Sequence, residues 1–285
     1  MPEGPEARII ADQLSKVCLG KYLYSHVEYG RLRQIYTVGK QLYFIFENAD
    51  ALILNSSLGV YGHWLLWDVW QNLKAKREAR AITKWGDLLP LGNGSNSIFV
   101  ERAVVVYDDS MNYGKMKWIS RDEAYKKMKT YPYDWMQMLF PQPACVIPVP
   151  PETMQLNKEK FIQICQKHAE KEILDVLMEQ KYMSGIGNYI KSESLYLARI
   201  NPFRLTGSLS LTELGILFEA LCWIFRDSYP KFGMTHGDFI APCGDKGRYQ
   251  SVCYKLSVSR DGHQVVTKKR KESDRNTHWC PTYQQ

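Results

Sequence analysis

Between Pro141 and Pro151 five of eleven residues are proline. Proline fixes φ near about −65°, offers no N–H and clashes with the preceding helical turn, so neither a helix interior nor a central strand runs through such a stretch. The chain must change its structural grammar here. A boundary at 141–156 separates an N-terminal unit, 1–140, from a C-terminal part, in keeping with the two domains that 285 residues imply at roughly 100 to 200 residues each.

The two sides read differently. Residues 2–18 carry Ala7, Ile10, Ala11, Leu14, Val17 and Cys18 at helical spacing, with Gly20 as a stop. Short runs rich in β-branched and aromatic residues follow at Gln41–Phe46, Ala51–Leu54, Ser97–Val100 and Ala103–Tyr107, separated by turn clusters such as 91–96. These predict a helix followed by a β-sandwich or flattened barrel. Beyond the prolines, Lys158–His168, Glu172–Gln180, Asn188–Arg199 and Leu211–Ser228 predict four helices across 157–243. The tail, 244–285, is polar, basic and strand-like, with Arg260-Asp261-Gly262-His263 as a hairpin turn. The fold class expected is α+β.

Composition narrows the function. Hydrophobic residues at 45% and charged residues at 24% exclude a disordered or fibrous chain. No apolar run approaches the roughly 20 residues of a membrane span, and the acidic start does not read as a signal peptide, so no membrane partner is expected. The 37 Lys and Arg against 30 Asp and Glu leave a net charge of +7, which favours a polyanion and first of all nucleic acid. Seven cysteines without paired spacing do not form a disulfide framework. An intracellular, reducing compartment is expected, the nucleus if the source is eukaryotic.

The start of the chain carries unusual chemistry. Loss of the initiator Met would leave Pro2 as a secondary amine with Glu3 and Glu6 beside it. An α-amino group titrates near pH ~8 against ~10.4 for lysine, so more of it is nucleophilic at neutrality, and a secondary amine turns an aldehyde into a cationic iminium. The same residues also suit a plain helix start, proline in the first turn and carboxylates on the dipole. A second feature, Gly185-Ile-Gly-Asn188 before a helix, offers free N–H groups to a phosphate, or simply a tight turn between helices.

Taken together, Pro2-Glu3-Gly4-Pro5-Glu6, then Gly185-Ile-Gly-Asn188 leading into Ser192-Glu-Ser-Leu195 and Asn201-Pro202, then Asp274-Arg275-Asn-Thr-His-Trp-Cys-Pro281 resemble the formamidopyrimidine-DNA glycosylase / endonuclease VIII family. The matches span essentially the whole chain in the family's order. The resemblance implies a bifunctional enzyme of base excision repair that removes oxidised bases and nicks the abasic strand, acting as a monomer on damaged double-stranded DNA, with single-stranded or bubble DNA left open, and without a cofactor. It implies an N-terminal helix with a β-sandwich, a helix-two-turns-helix domain and a β-hairpin finger. By match to the family's motifs, Pro2 is the nucleophile, Glu3 the proton donor and shuttle, Glu6 its supporting carboxylate, and Lys40, Asn188 and Arg275 the phosphate contacts. Rotating a nucleotide out of the duplex requires such cations on the flanking phosphates.

The sequence also departs from the family. Leu58-Gly-Val-Tyr-Gly62 lies where the family inserts a loop into DNA, making Val60 and Tyr61 candidate wedges, or else strand-end core. This loop is closer to the endonuclease VIII branch, whose preference is for oxidised pyrimidines. Ser57 stands where histidine is common. The family's zinc finger needs two cysteine pairs, and here only Cys280-Pro-Thr-Tyr283 echoes one. A set of Cys253, His263, His278 and Cys280 lacks finger spacing, so a zincless finger with no metal is expected. Lys268-Lys-Arg-Lys271 reads as a solvated charge run that attracts DNA, with a nuclear address as the other reading, and Asp108-Asp109 as a turn. Two rivals stand beside this reading: an 8-oxoguanine glycosylase, and a catalytically silent protein that binds damaged DNA.

Overall fold

The computed structural model describes residues 2–21, 29–48, 53–57, 62–74, 89–91, 95–100, 103–108, 114–234, 239–270 and 273–285. The first helix, α1 (Gly4–Cys18), begins with Pro5 in its first turn and keeps Lys16 in its last, the charge order that suits a helix dipole. It ends where Gly20 turns to φ +75°. Its apolar stripe, including Ile10, Ala11 and Leu14, is buried against the strands that follow.

Those strands form two antiparallel four-stranded sheets. One has the order β1 (Leu32–Val38), β2 (Gln41–Phe46), β3 (Ile53–Ser57), β8 (Lys115–Ile119). The other has the order β4 (His63–Leu66), β7 (Ala103–Asp108), β6 (Ser95–Val100), β5 (Leu89–Leu91). Phe44 of the first meets Trp64 of the second at 4.9 Å between ring centroids, and Trp64 meets Tyr107 at 5.2 Å. The sheets and α1 thus share one core. A short helix, α2 (Trp67–Lys74), follows β4.

Three helices before the proline run are absent from the sequence reading: α2 and two more. One is α3 (Arg121–Lys129), which buries Ala124 and Met128 on the face of the first sheet that carries Tyr36 and Tyr43. The other, α4 (Trp135–Leu139), starts at Asp134, whose side chain accepts the Met136 and Gln137 N–H groups. Trp135 stacks on Phe225 at 5.6 Å and packs with Phe161 and Phe218, so this residue belongs to the helical core.

That core is built by α5 (Lys158–Lys167), α6 (Ile173–Met178), α7 (Asn188–Leu197) and α8 (Leu211–Ser228). The four helices stand where the periodicity predicts them. Each fully buried Leu or Phe contributes roughly 1.5–3 kcal/mol, and α8 alone buries Leu214, Leu217, Leu221 and Phe225. The chain ends in an antiparallel hairpin, β9 (Val266–Arg270) with β10 (Ser273–Trp279), set against α7. The turn at Arg260–His263 exists, closed by the Ser259 N–H to the His263 carbonyl at 2.8 Å with Gly262 at φ +85°, but it precedes the hairpin rather than capping it.

Among the described residues no helix is long and apolar enough to cross a membrane.

Candidate functional site

The starts of α1 and α7 meet. The first turn of any helix leaves backbone N–H groups without intrahelical acceptors. At α7 the N-cap is Gly187, which has no side chain to offer. The acceptor comes from α1 instead: the Tyr189 N–H donates to Glu3 Oε1 at 2.9 Å and the Ile190 N–H to Glu3 Oε2 at 3.2 Å. A Cβ at position 187 would lie 2.2 Å from Glu3 Cδ, so glycine is required for this approach. The Gly4 N–H donates to the Gly185 carbonyl at 2.8 Å and locks the two starts together.

Glu6 lies one turn along α1 and is also buried. It accepts the Glu3 N–H at 2.9 Å, the Tyr189 hydroxyl at 3.1 Å and the Met234 N–H at 3.2 Å. A Cβ on Gly233, which sits at φ +78°, would strike Glu6 Oε1 at 2.2 Å.

Lys40 arrives from the tight turn between β1 and β2. Gly39 adopts φ +59° there, where a Cβ would lie 2.9 Å from Ser184 Cβ, and its N–H donates to the buried carboxylate of Asp134. The half-buried lysine feels the charges of Glu3, Arg275 and Glu6. Burial draws its pKa down, Glu3 raises it and Arg275 lowers it further. Burial pushes the Glu3 carboxyl well above the usual carboxylate range; Lys40 opposes that rise, Glu6 adds to it, and the two α7 N–H groups oppose it. Burial likewise raises Glu6, against its hydrogen bonds. A buried carboxyl held this way keeps its proton toward neutrality and can deliver it, and the adjacent ammonium can hold an anion.

Asn188, the first residue of α7, donates from Nδ2 to the Asn276 carbonyl at 2.9 Å and accepts at Oδ1 from Lys191 Nζ at 2.8 Å. Lys191 also reaches Thr277 Oγ1 at 3.2 Å. These bonds bring β10, and with it the exposed Arg275, to the same helix end; the charge of Arg275 is felt at Lys40 and at Tyr254. Glu193, further along α7, anchors the segment before the hairpin by accepting from the Val252, Cys253 and Tyr254 N–H groups and the Tyr249 hydroxyl at 2.6–2.8 Å.

The structure therefore gathers Glu3, Glu6, Lys40, Asn188 and Arg275, with the buried Pro2 directly preceding Glu3. Val60, Tyr61, Asp109 and Lys271 lie outside the described residues. Ser57 ends β3, opposite Gln41 and Lys115. Lys268 is exposed and sits 4.5 Å over the Phe203 ring. Of the four cysteine and histidine residues in the tail, Cys253 and Cys280 share a buried apolar cluster, His263 stacks on Tyr283 at 4.4 Å, and His278 Nδ1 lies 3.1 Å from Thr267 Oγ1. Among the described residues no group of three or more His, Cys, Asp or Glu side chains converges on a metal position.

Asp134, Tyr189, Lys191 and Glu193 were not singled out from the sequence. Only the structure marks two of them: half of the α7 residues are polar, yet every residue from Tyr189 to Tyr196 is buried, so its lysine and glutamate must be bonding to something.

Residues 148–235 match the model of the formamidopyrimidine-DNA glycosylase H2TH domain. The chain is 26% identical to the formamidopyrimidine-DNA glycosylase of Prochlorococcus marinus over the whole length of both, and 24% identical to the endonuclease 8 of Pectobacterium carotovorum over 99% of this chain and 98% of that one. Among solved structures it resembles the Lactococcus lactis Fpg protein in complex with a THF-DNA and an inhibitor, with TM-score 0.73, 20% identity and full coverage of both chains. It also resembles the MutM (Fpg) protein of Thermus thermophilus, with TM-score 0.72, 22% identity, and 99% of this chain and 98% of that one covered. With the order of elements and the junction of α1 on α7 already described, these likenesses agree from one end of the chain to the other: it belongs to the formamidopyrimidine-DNA glycosylase / endonuclease VIII family.

Proposed function

We propose that this DNA glycosylase of base excision repair removes oxidised bases, pyrimidines in preference, and then cleaves the abasic strand through a covalent intermediate on Pro2. The observation that carries the reading is the junction itself: a buried carboxyl with its acidity suppressed, directly after Pro2, between the α7 N–H groups and Lys40. Once Met1 is removed, the Pro2 nitrogen forms a bond to C1′ as the glycosidic bond breaks and the base leaves with the electron pair. Glu3 gives its proton to the ring oxygen, and the sugar opens to an iminium. Loss of the proton at C2′ expels the 3′ phosphate, a second elimination expels the 5′ phosphate, and water hydrolyses the iminium to release Pro2. Every step uses an amine, a carboxyl and water, so the reading requires no cofactor.

Lys40, Asn188 and Arg275 are assigned to the phosphates around the lesion. Their charges and N–H donors surround the junction, and cations there hold a flipped nucleotide against C1′ attack. We assign the finger to a metal-free type and the enzyme to a monomer acting on duplex DNA. The preference for pyrimidines rests on Val60-Tyr61-Gly62 in the sequence. A purine preference is the second reading, favoured by the relatives named formamidopyrimidine-DNA glycosylase. Single-turnover excision across a panel of lesions in duplex DNA decides between them: oxidised pyrimidines and ring-opened purines are expected to be cut faster than 8-oxoguanine opposite cytosine, and 8-oxoguanine as the best substrate reverses the assignment.

A further inference from the structure

Lysine is among the residues least often found fully buried, and it is retained inside a protein only where its donors are used. Lys191 is 2% exposed, in the second turn of α7. Its ammonium donates to Asn188 Oδ1 at 2.8 Å and to Thr277 Oγ1 at 3.2 Å, and so joins the first residue of the helix to the strand that carries Arg275.

The bond to Asn188 has a directional consequence. A carboxamide can approach a phosphate only through its NH2; its oxygen repels one. An ammonium has donors and no acceptor, so it accepts only the orientation with Oδ1 turned toward it. The Asn276 carbonyl, an acceptor, takes Nδ2 at 2.9 Å and enforces the same orientation from the other side. The second proton of the NH2 is donated to the Tyr254 hydroxyl at 3.5 Å, a long bond that a phosphate oxygen can replace. The bond to Thr277 acts on the other half of the clamp. Arg275 lies in the irregular stretch of β10 between Ser273 and Asn276, so anchoring Thr277 on α7 fixes the strand immediately beyond it, and the charge of Arg275 is felt at Lys40.

We infer that Lys191 is a positioning residue for DNA recognition: it fixes the amide of Asn188 and the rung of β10 so that Asn188 and Arg275 present donors together to a phosphate of the lesion strand. The inference rests on the proposed glycosylase function. Its charge also reaches His278, whose pKa is lowered by burial first and then by Lys191 and Lys255, which supplies a readout independent of DNA.

The test compares Lys191→Met, Lys191→Arg, Asn188→Ala and the Lys191→Met/Asn188→Ala double variant of the full chain. Substrates are a duplex with one oxidised pyrimidine and a duplex with a preformed abasic site. Lys191→Met is expected to raise the duplex KM about 10- to 100-fold, with a smaller loss on the abasic site. Lys191→Arg should recover most of that loss, and the double variant should lose less than the product of the two single losses, because one arm of Lys191 acts through Asn188 and the other through Thr277. In Lys191→Met the His278 imidazole, followed by NMR, should titrate at higher pH than in wild type, while in Lys191→Arg it should stay near wild type. A Lys191→Met KM within twofold of wild type, or losses that multiply in the double variant, overturns the inference. If Lys191→Met does not fold, Thr277→Val, which removes one anchor and keeps the buried charge, decides: a several-fold rise in duplex KM supports the inference and a wild-type KM refutes it. Wild-type protein that forms no borohydride-trapped adduct with abasic DNA would instead refute the glycosylase reading beneath it.

Discussion

Two buried carboxylates act on α7, and they are used in opposite ways. Glu193 lies within the helix and receives four donors, three of them backbone N–H groups of the segment that leads into the finger. A carboxylate has about four acceptor sites, so its capacity is filled and its work is architectural. Glu3 reaches the same helix from the other domain and receives two N–H groups; its surroundings are completed by the charges of Lys40 and Glu6. Burial raises its pKa, so its proton is exchangeable near neutrality. Filling every acceptor site makes a joint; leaving the balance to neighbouring charges makes an acid.

The sharpest way to break this comparison is to remove both groups in turn. Glu193→Ala strands three backbone donors at ~1–3 kcal/mol each, so a stability loss of roughly 3 kcal/mol or more is expected in denaturant unfolding. Glu3→Gln keeps an acceptor for α7 and is expected to cost less than about 1 kcal/mol of stability while slowing excision by ~10²–10⁴, the usual contribution of a positioned acid. A Glu3→Gln protein as unstable as Glu193→Ala would erase the distinction.

A smaller effect follows from pH. The folded-state pKa of Glu3 is raised, so the folded protein holds a proton that the unfolded chain has released, and the stability this confers is full below the ordinary carboxylate pKa and lost as pH rises toward the shifted value. The melting temperature of wild type relative to Glu3→Gln should therefore fall between mildly acid pH and neutrality. A flat difference across that window would mean that Glu3 is not the perturbed group.

The smallest effect concerns the finger, and it should be none. Cys253 and Cys280 lie in an apolar cluster with Tyr196 and Val265, and among the described residues no group of three or more His, Cys, Asp or Glu side chains converges on a metal position. Elemental analysis is expected to find no stoichiometric zinc, and a chelator should leave activity and melting unchanged. About one zinc per chain, lost together with activity on chelation, would overturn the metal-free finger.

How much of this was legible beforehand depends on distance along the chain. The helix α8 was read with its observed ends because Leu211–Ser228 carries a long periodic stripe; the structure adds a Ser210–Glu213 capping box at its start. The same box, Ser120–Glu123, marks α3 and was passed over, since that helix buries only Ala124 and Met128 and has little stripe to read. Trp135 could not be assigned to the helical core, because its partners Phe218 and Phe225 lie 83 and 90 residues further along the chain. For the site, motifs named Glu3 and Asn188, whereas the bond from the Tyr189 N–H to Glu3 spans 186 residues and no local pattern encodes it. Neither the burial of Lys191 and Glu193, in a helix half of whose residues are polar, nor their partners toward the finger could be read from the sequence.

The central claim is that the amine of Pro2, beside Glu3, is the nucleophile. It is tested most directly by borohydride trapping on duplex DNA with a preformed abasic site, comparing protein whose N-terminus is confirmed by mass spectrometry to be Pro2 with protein that keeps Met1 or an added residue ahead of it. The account predicts a covalent protein–DNA adduct that maps to Pro2 in the first and none in the second, where the nitrogen is an amide. Equal trapping by the blocked protein would contradict it and place the nucleophile elsewhere.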